Sequence, residues 1–212
     1  MNTIFMSKQK IGSFNIGGFP WSVELDNEDC EQERSRYLIS HAHQTIKIRN
    51  DYGDGRPLLR ENGIMNTLWE AIMNTLIIGV MENRKFDSDI LKTYASFVQQ
   101  ITNTLTSTPK DWNGTFYLGG KQWKVVVDNN PSNTWYGLCH GDIGVVYLTT
   151  EGKEGPYSIP FIGQTLWHEL LHSIAYELGK SKEKMNSEKF VNILSVFVYE
   201  VDSTLVIEIP DE

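Results

Sequence analysis

The feature that most constrains this chain is that it contains itself twice. Residues 14–27, FNIGGFPWSVELDN, and residues 116–129, FYLGGKQWKVVVDN, share Phe, Gly, Gly, Trp, Val, Asp and Asn, seven of fourteen positions without a gap. Three further matches follow in the same order. Tyr37 and His41 in YLISH face Tyr136 and His140 in YGLCH, TLW at 67–69 faces TLW at 165–167, and FVQQITNTL at 97–105 faces FVYEVDSTL at 197–205. Four matches in one order at nearly constant spacing read as the tandem duplication of a unit of roughly ninety residues. A chain of 212 residues built this way folds as a pair of like units, not as one large core.

Each copy carries the same succession of elements. GGFPWSVEL and GGKQWKVVV read as a glycine turn entering a strand in which Trp and Val alternate. HQTIKIRN and IGVVYLTT read as a second strand, ended by the Gly-rich links DYGDGRP and EGKEGP. A helix follows, because Leu68, Trp69, Ile72, Met73 and Leu76 recur at three- and four-residue steps, as do Leu166, Trp167, Leu170, Leu171, Ile174, Ala175 and Leu178. Gly179 is placed to stop the second of these helices. A last helix is expected near 88–105 and again near 186–204. The fold class is therefore α+β, two tandem units of strand–strand–helix–helix over residues 11–106 and 113–206, joined by the linker-like TSTPKDWNG at 106–114. The shared tryptophans, Trp21 with Trp123 and Trp69 with Trp167, are expected in the cores.

Chemistry enters with QTLWHELLHSIAYELG at 164–179. His168 and His172 stand one helical turn apart and project from one face, so both imidazoles reach a single tetrahedral zinc. Glu169 between them is placed as the general base for a water that the zinc activates. The apolar residues take the opposite face, so the helix can dock on a sheet while the polar trio faces a cleft. A catalytic zinc needs a third protein ligand and an open position. Glu188, in SEKFVNILSVF, is the candidate, on a return helix whose i+4 neighbour Asn192 shares its face, while Phe190, Val191, Leu194 and Phe197 form the core side. Glu177, Glu183 and Asp202 are its competitors. Tyr157, Tyr176 and His140 are candidate transition-state stabilisers by residue type alone, and His140 reads as a strand-end or core residue because His41 is its counterpart.

The first copy lacks this chemistry. Aligned on TLW, Glu70 stands for His168, Ala71 for Glu169 and Asn74 for His172, and Asp89 stands approximately for Glu188. Only one of the two helices carries a reactive face. The net charge of −8 argues against a nucleic-acid backbone as partner, and the acids are too scattered for a mimic of one. Cys30 and Cys139 form no C-x-x-C pair, which points to a reducing compartment. The start, MNTIFMSKQKIGSF, holds no signal-peptide core, and no apolar run is long enough to span a bilayer. A cytoplasmic protein with no membrane partner is expected.

TLWHELLHSIAYELG followed by SEKFVNILSVFV resembles the small HExxH proteins of phage genomes and, more distantly, the ImmA/IrrE-type metallopeptidases. In that wider group the HExxH helix is followed by E-x-x-A-N-x-x-A. Here Glu188, Val191, Asn192 and Ser195 stand at those positions, with Val and Ser replacing the alanines. The IGGFPW and YGLCHGDIGVVYL segments are similar to the strands that precede the helix in the phage proteins. The resemblance covers the second copy and implies a minimal zincin-like fold, one Zn2+ on His168 and His172, and Glu169 as base. It implies a zinc metallopeptidase acting on a protein or peptide, in the host cytoplasm. The alternative it leaves open is a phage structural or interaction protein, virion-associated, with a silent metal site.

Overall fold

A computed structural model describes residues 8–49, 60–81, 87–130, 132–179 and 186–209. Among them are five helices and three sheets, a mixed α+β architecture. In the first part of the chain, β1 (Gln9–Ile16) and β2 (Phe19–Leu25) form a hairpin through Gly17 and Gly18, whose φ angles are 60° and 78°. A two-residue turn between right-twisted strands needs positive φ at both positions, which glycine adopts without steric cost. A short helix α1 (Asn27–Gln32), capped by the Asp26 carboxylate on the Asp29 N–H, leads to β3 (Tyr37–Ser40) and β4 (Thr45–Ile48). Helix α2 (Arg60–Asn74) runs on into a π-helical segment, Thr75–Val80, and α3 (Ser88–Thr104) follows.

The second part repeats this arrangement. β5 (Gly114–Leu118) and β6 (Lys121–Val127) are joined through Gly119 and Gly120 at φ 59° and 79°. Then come β7 (Gly137–His140), β8 (Val145–Leu148) and a two-residue ribbon of β9 (Glu151–Gly152) and β10 (Gly155–Pro156), formed from the EGKEGP link. Helix α4 (Ile159–Glu177) ends at Gly179, φ 66°, as expected, and α5 (Glu188–Thr204) precedes β11 (Val206–Ile207), which pairs with β1. Among the described residues no helix is long and apolar enough to cross a membrane.

The strand order is β1-β2-β4-β3 in one sheet and β5-β6-β8-β7 in the other, with the inner pair parallel in both. The registers agree as well: Phe14 pairs with Trp21 and Phe116 with Trp123, Tyr37 with Ile48 and Gly137 with Leu148. Positions in the two sheets can therefore be equated one by one. Where two strands per unit were expected, the second sheet holds four and the first holds five, with β11 added beside β1. β3 and β7 are only four residues long with no buried–exposed alternation, so they carry no period-two signal. The register also corrects the YLISH–YGLCH alignment by one residue. Tyr37 occupies the place of Gly137 and Arg36 that of Tyr136, so His41 and His140 are not counterparts. A one-residue slip moves every side chain to the other face.

The chain divides into two compact units, Met1–Ser96 with Glu200–Glu212, and Phe97–Tyr199. The divisions fall within α3 and α5, and the linker-like stretch 106–114 lies inside the second unit, where Thr108 and Asp111 bridge. The reason lies in the hairpins. In the first unit the Glu200 carboxylate accepts the N–H groups of Gly17 and Gly18 at 2.6 and 2.7 Å, and Thr204 Oγ1 accepts that of Asn15 at 2.9 Å. In the second, Gln100 Oε1 accepts the Gly119 N–H and Thr104 Oγ1 the Tyr117 N–H, both at 2.9 Å. Each turn's unpaired donors are thus satisfied by a helix end that comes from the other repeat. Trp21, Trp69, Trp123 and Trp167 are all buried, as expected of core residues.

Candidate metal centre

The second unit assembles the centre from α4 and the start of α5. Ser158 caps α4 by accepting the Phe161 N–H, and Pro160 in the first turn needs no donor there. Leu166, Trp167, Leu170, Leu171 and Ile174 are buried, and α4 packs on β7 and β8. That docking fixes the rotation of the helix and turns His168 and His172 toward a cleft, each still about half-buried. Ser187 forms the cap of α5, so Glu188 falls at its first helical position, where a carboxylate favours the helix dipole.

The three donors converge. His168 Nε2 and His172 Nε2 lie 3.0 Å apart, and the Glu188 carboxylate oxygens are 3.3 Å from each. Donors bonded to one tetrahedral zinc at about 2.0–2.1 Å stand roughly 3.3 Å from one another. Two imidazoles and one carboxylate are also a donor set that catalytic zinc uses, with the fourth position left open. The residues present therefore fit the ion. Asn186 adds to the fit: its Oδ1 lies 2.5 Å from His172 Nδ1. An Nδ1–H donated to that oxygen leaves the Nε2 lone pair free for a metal.

Glu169 sits beside this trio with 6% of its surface exposed, its Oε1 3.9 Å from His168 Nε2. Burial, with the Glu188 charge adding to it, pushes its carboxyl up to about 8, against a hydrogen bond from the Cys139 backbone N–H that lowers it. Burial, followed by the charge of His172, lowers His168, while Glu188 and the Asn192 side chain work the other way. Burial and then the Glu169 charge push the Cys139 thiol up to about 12, so it stays protonated at neutral pH. Two cavities, of about 330 and 380 Å³, share Gly137, His168 and Glu169 as walls.

The chain matches no family model, no curated protein and no solved structure.

Of the competing ligands, Glu177 is bound to Lys121 at 3.1 Å, Asp202 belongs to the first unit, and Glu183 lies outside the described residues. Tyr176 lines the larger cavity beside His172, and Tyr157 stacks in an aromatic cluster with Tyr136 and Phe161. His140 ends β7, exposed, against Asp142 and the Tyr147 ring, so it is a strand-end residue and not a core one. Sequence reasoning missed Asn186 by drawing it into the helix. The Asn-Ser-Glu order, with Ser as cap, was the available signal. It also missed Gly137, where a Cβ would stand 2.7 Å from both Cγ and Oε1 of Glu169.

The equivalent positions of the first unit are filled by a closed polar set. Glu70 faces Arg36 at 3.7 Å, Arg36 also donates to Thr67 Oγ1 at 2.9 Å, and Asn74 Nδ2 donates to the Tyr37 hydroxyl at 2.9 Å. Tyr37 stands where the second unit has Gly137, and Ala71 where it has Glu169. The core residues of α3 and α5 keep step, Leu91, Tyr94 and Val98 against Val191, Leu194 and Val198. That step corrects the approximate match of Glu188 from Asp89 to Ser88.

Proposed function

We propose that the second unit is a zinc-dependent peptidase and that both units are tandem zincin-like folds of the small phage HExxH type, the first without the chemistry. The observation that carries the reading is the convergence of His168, His172 and Glu188 beside the buried carboxylate of Glu169. A zinc ion bound there supplies the Lewis acidity that polarises a peptide carbonyl and acidifies water. His168, His172 and Glu188 hold the ion. Asn186 holds His172 in the tautomer that ligates. A cation held beside Glu169 would favour its ionised form over the protonated one that burial favours, and that carboxylate takes the proton from the attacking water and returns it to the departing amine. The Cys139 N–H keeps that carboxylate oriented. The substrate is a protein or peptide, and the compartment is the cytoplasm of the host.

Elemental analysis of the purified protein beside a His168→Ala, His172→Ala variant tests the site. One zinc per chain, absent from the variant, supports it, and Glu169→Gln should then retain zinc and lose peptide cleavage. Absence of zinc from the wild type even after metal is added refutes the reading. One observation favours a second reading, a phage structural or interaction protein. The first unit keeps the same sheet with its equivalent site filled, so the fold has a use that needs no metal.

A further inference from the structure

We infer that the cavity of about 330 Å³ beside Glu169 is a specificity subsite for a large apolar side chain, preferably aromatic, next to the bond that is cut. This rests on the peptidase reading above. The cavity shares Gly137, His168 and Glu169 with the metal centre, and its outer wall is Tyr136, Phe161 and Val196. These three are 55%, 36% and 42% exposed, so they are not core residues that happen to border a gap. The ring of Tyr136 meets that of Phe161 edge-on at 5.1 Å and that of Tyr157 at 5.6 Å, and Tyr157 lies 5.1 Å from Phe161. Tyr157 does not line the cavity, but its contact with both lining rings holds them, so the wall loses little freedom when a ligand arrives. Exposed aromatics at the mouth of a cavity that also holds convergent polar groups are what a ligand site requires.

The first unit supplies the comparison. The residues equivalent to Tyr136, Phe161 and Val196 are Arg36, Gly63 and Ser96, with no ring and no branched side chain among them. The aromatic wall thus accompanies the histidines and is missing where they are missing. A wall kept for folding would be needed equally in both units, since the two sheets share order and register. Asn192 and Gln164, also lining the cavity, offer amide groups suited to peptide backbone.

The test uses the zinc-loaded full chain and two hydroxamates that chelate zinc alike, acetohydroxamate and 3-phenylpropanohydroxamate, titrated calorimetrically. The phenyl-bearing compound should bind the wild type about 30-fold tighter, the gain from burying one aromatic group. Phe161→Ala should reduce that ratio to below about threefold, with zinc content at the wild-type value as the control for folding, and Tyr136→Ala provides a second variant. Equal affinities in the wild type, or a phenyl advantage that survives both variants, overturns the subsite. A digest of a randomised peptide library, read by mass spectrometry, separates the two claims. Cleavage with no apolar preference beside the cut overturns the subsite and leaves the peptidase. A phenyl advantage with no cleavage leaves the subsite and sinks the peptidase. Failure of both hydroxamates to bind sinks both.

Discussion

Gly137→Ala is the most informative single substitution in this chain. Gly137 is not among the glycines with positive φ, and it sits in β7, so the backbone accepts alanine. What the added methyl meets is Glu169, at 2.7 Å from Cγ and from Oε1, and Thr165 Cγ2 at 2.9 Å. Ordinary carbon contacts begin at about 3.5 Å, so the carboxylate must withdraw by roughly 0.8 Å. The obstacle is the far part of a movable side chain, so the cost falls on the position of the base and not on the strand. A misplacement of about 1 Å lowers a rate by roughly 10²-fold. The expected result is a kcat on a fluorogenic peptide reduced about 100-fold, with zinc still near one per chain by elemental analysis. Thermal unfolding should show a loss no larger than about 1–2 kcal/mol. Wild-type turnover in the alanine variant would refute the claim that Gly137 makes room for a catalytic carboxylate. Loss of zinc together with activity would refute the claim that the added methyl displaces Glu169 alone.

Two other predictions concern stability. In chelator, the Glu169 carboxyl titrates at about 8 in the folded protein against 4.5 as its ordinary value, so between those values the folded state holds a proton that the unfolded chain has released. Stability from this group is therefore present below about pH 4.5 and is lost as pH rises to 8, on the order of 3–5 kcal/mol in all. Urea melts at pH 5 and 8 should show that fall in the metal-free wild type and a much smaller one in Glu169→Gln; parallel curves would count against it. Tyr37→Phe removes the hydroxyl that Asn74 donates to and should cost about 1 kcal/mol in denaturant melts, without any effect on zinc content. A change in zinc content would contradict the assignment of the metal to the second unit.

The repeat, the helices and the clustering of His168, His172 and Glu188 were legible because each rests on a short-range rule. Glycine pairs demand a turn, apolar residues at three- and four-residue steps demand a helix, and histidines one turn apart share a face. Glu188 was legible because a helix following a short turn returns antiparallel, bringing its first residues back to the end of the preceding one. Apart from Asn186, hidden by a helix start placed two residues early, what stayed hidden depends on pairing between strands. β3 and β7 are too short to alternate, so the YLISH–YGLCH identities pulled the alignment one residue off, and the error concealed Tyr37 opposite Gly137.

That hidden pair bears on how the two units came to differ. In the second unit a glycine on the edge strand faces a glutamate on the helix, and a Cβ fits between them only if the glutamate withdraws. In the first, the equivalent positions hold a tyrosine and an alanine, and the tyrosine hydroxyl accepts from the amide of Asn74, which stands where His172 would be. The larger side chain is on the helix in one unit and on the strand in the other. Core space conserved by exchange costs little stability, whereas either change alone would leave a void or a clash. Changing Ala71 to Glu in the first unit would place a carboxylate at the position that Glu169 holds against Gly137, where the first unit has Tyr37, so accommodating it calls for Tyr37→Gly as well. The difference between the units is thus not confined to three positions on one helix. Strand and helix residues differ as a set, so a first unit carrying only Glu70→His, Ala71→Glu and Asn74→His should unfold more readily than one that also carries Tyr37→Gly.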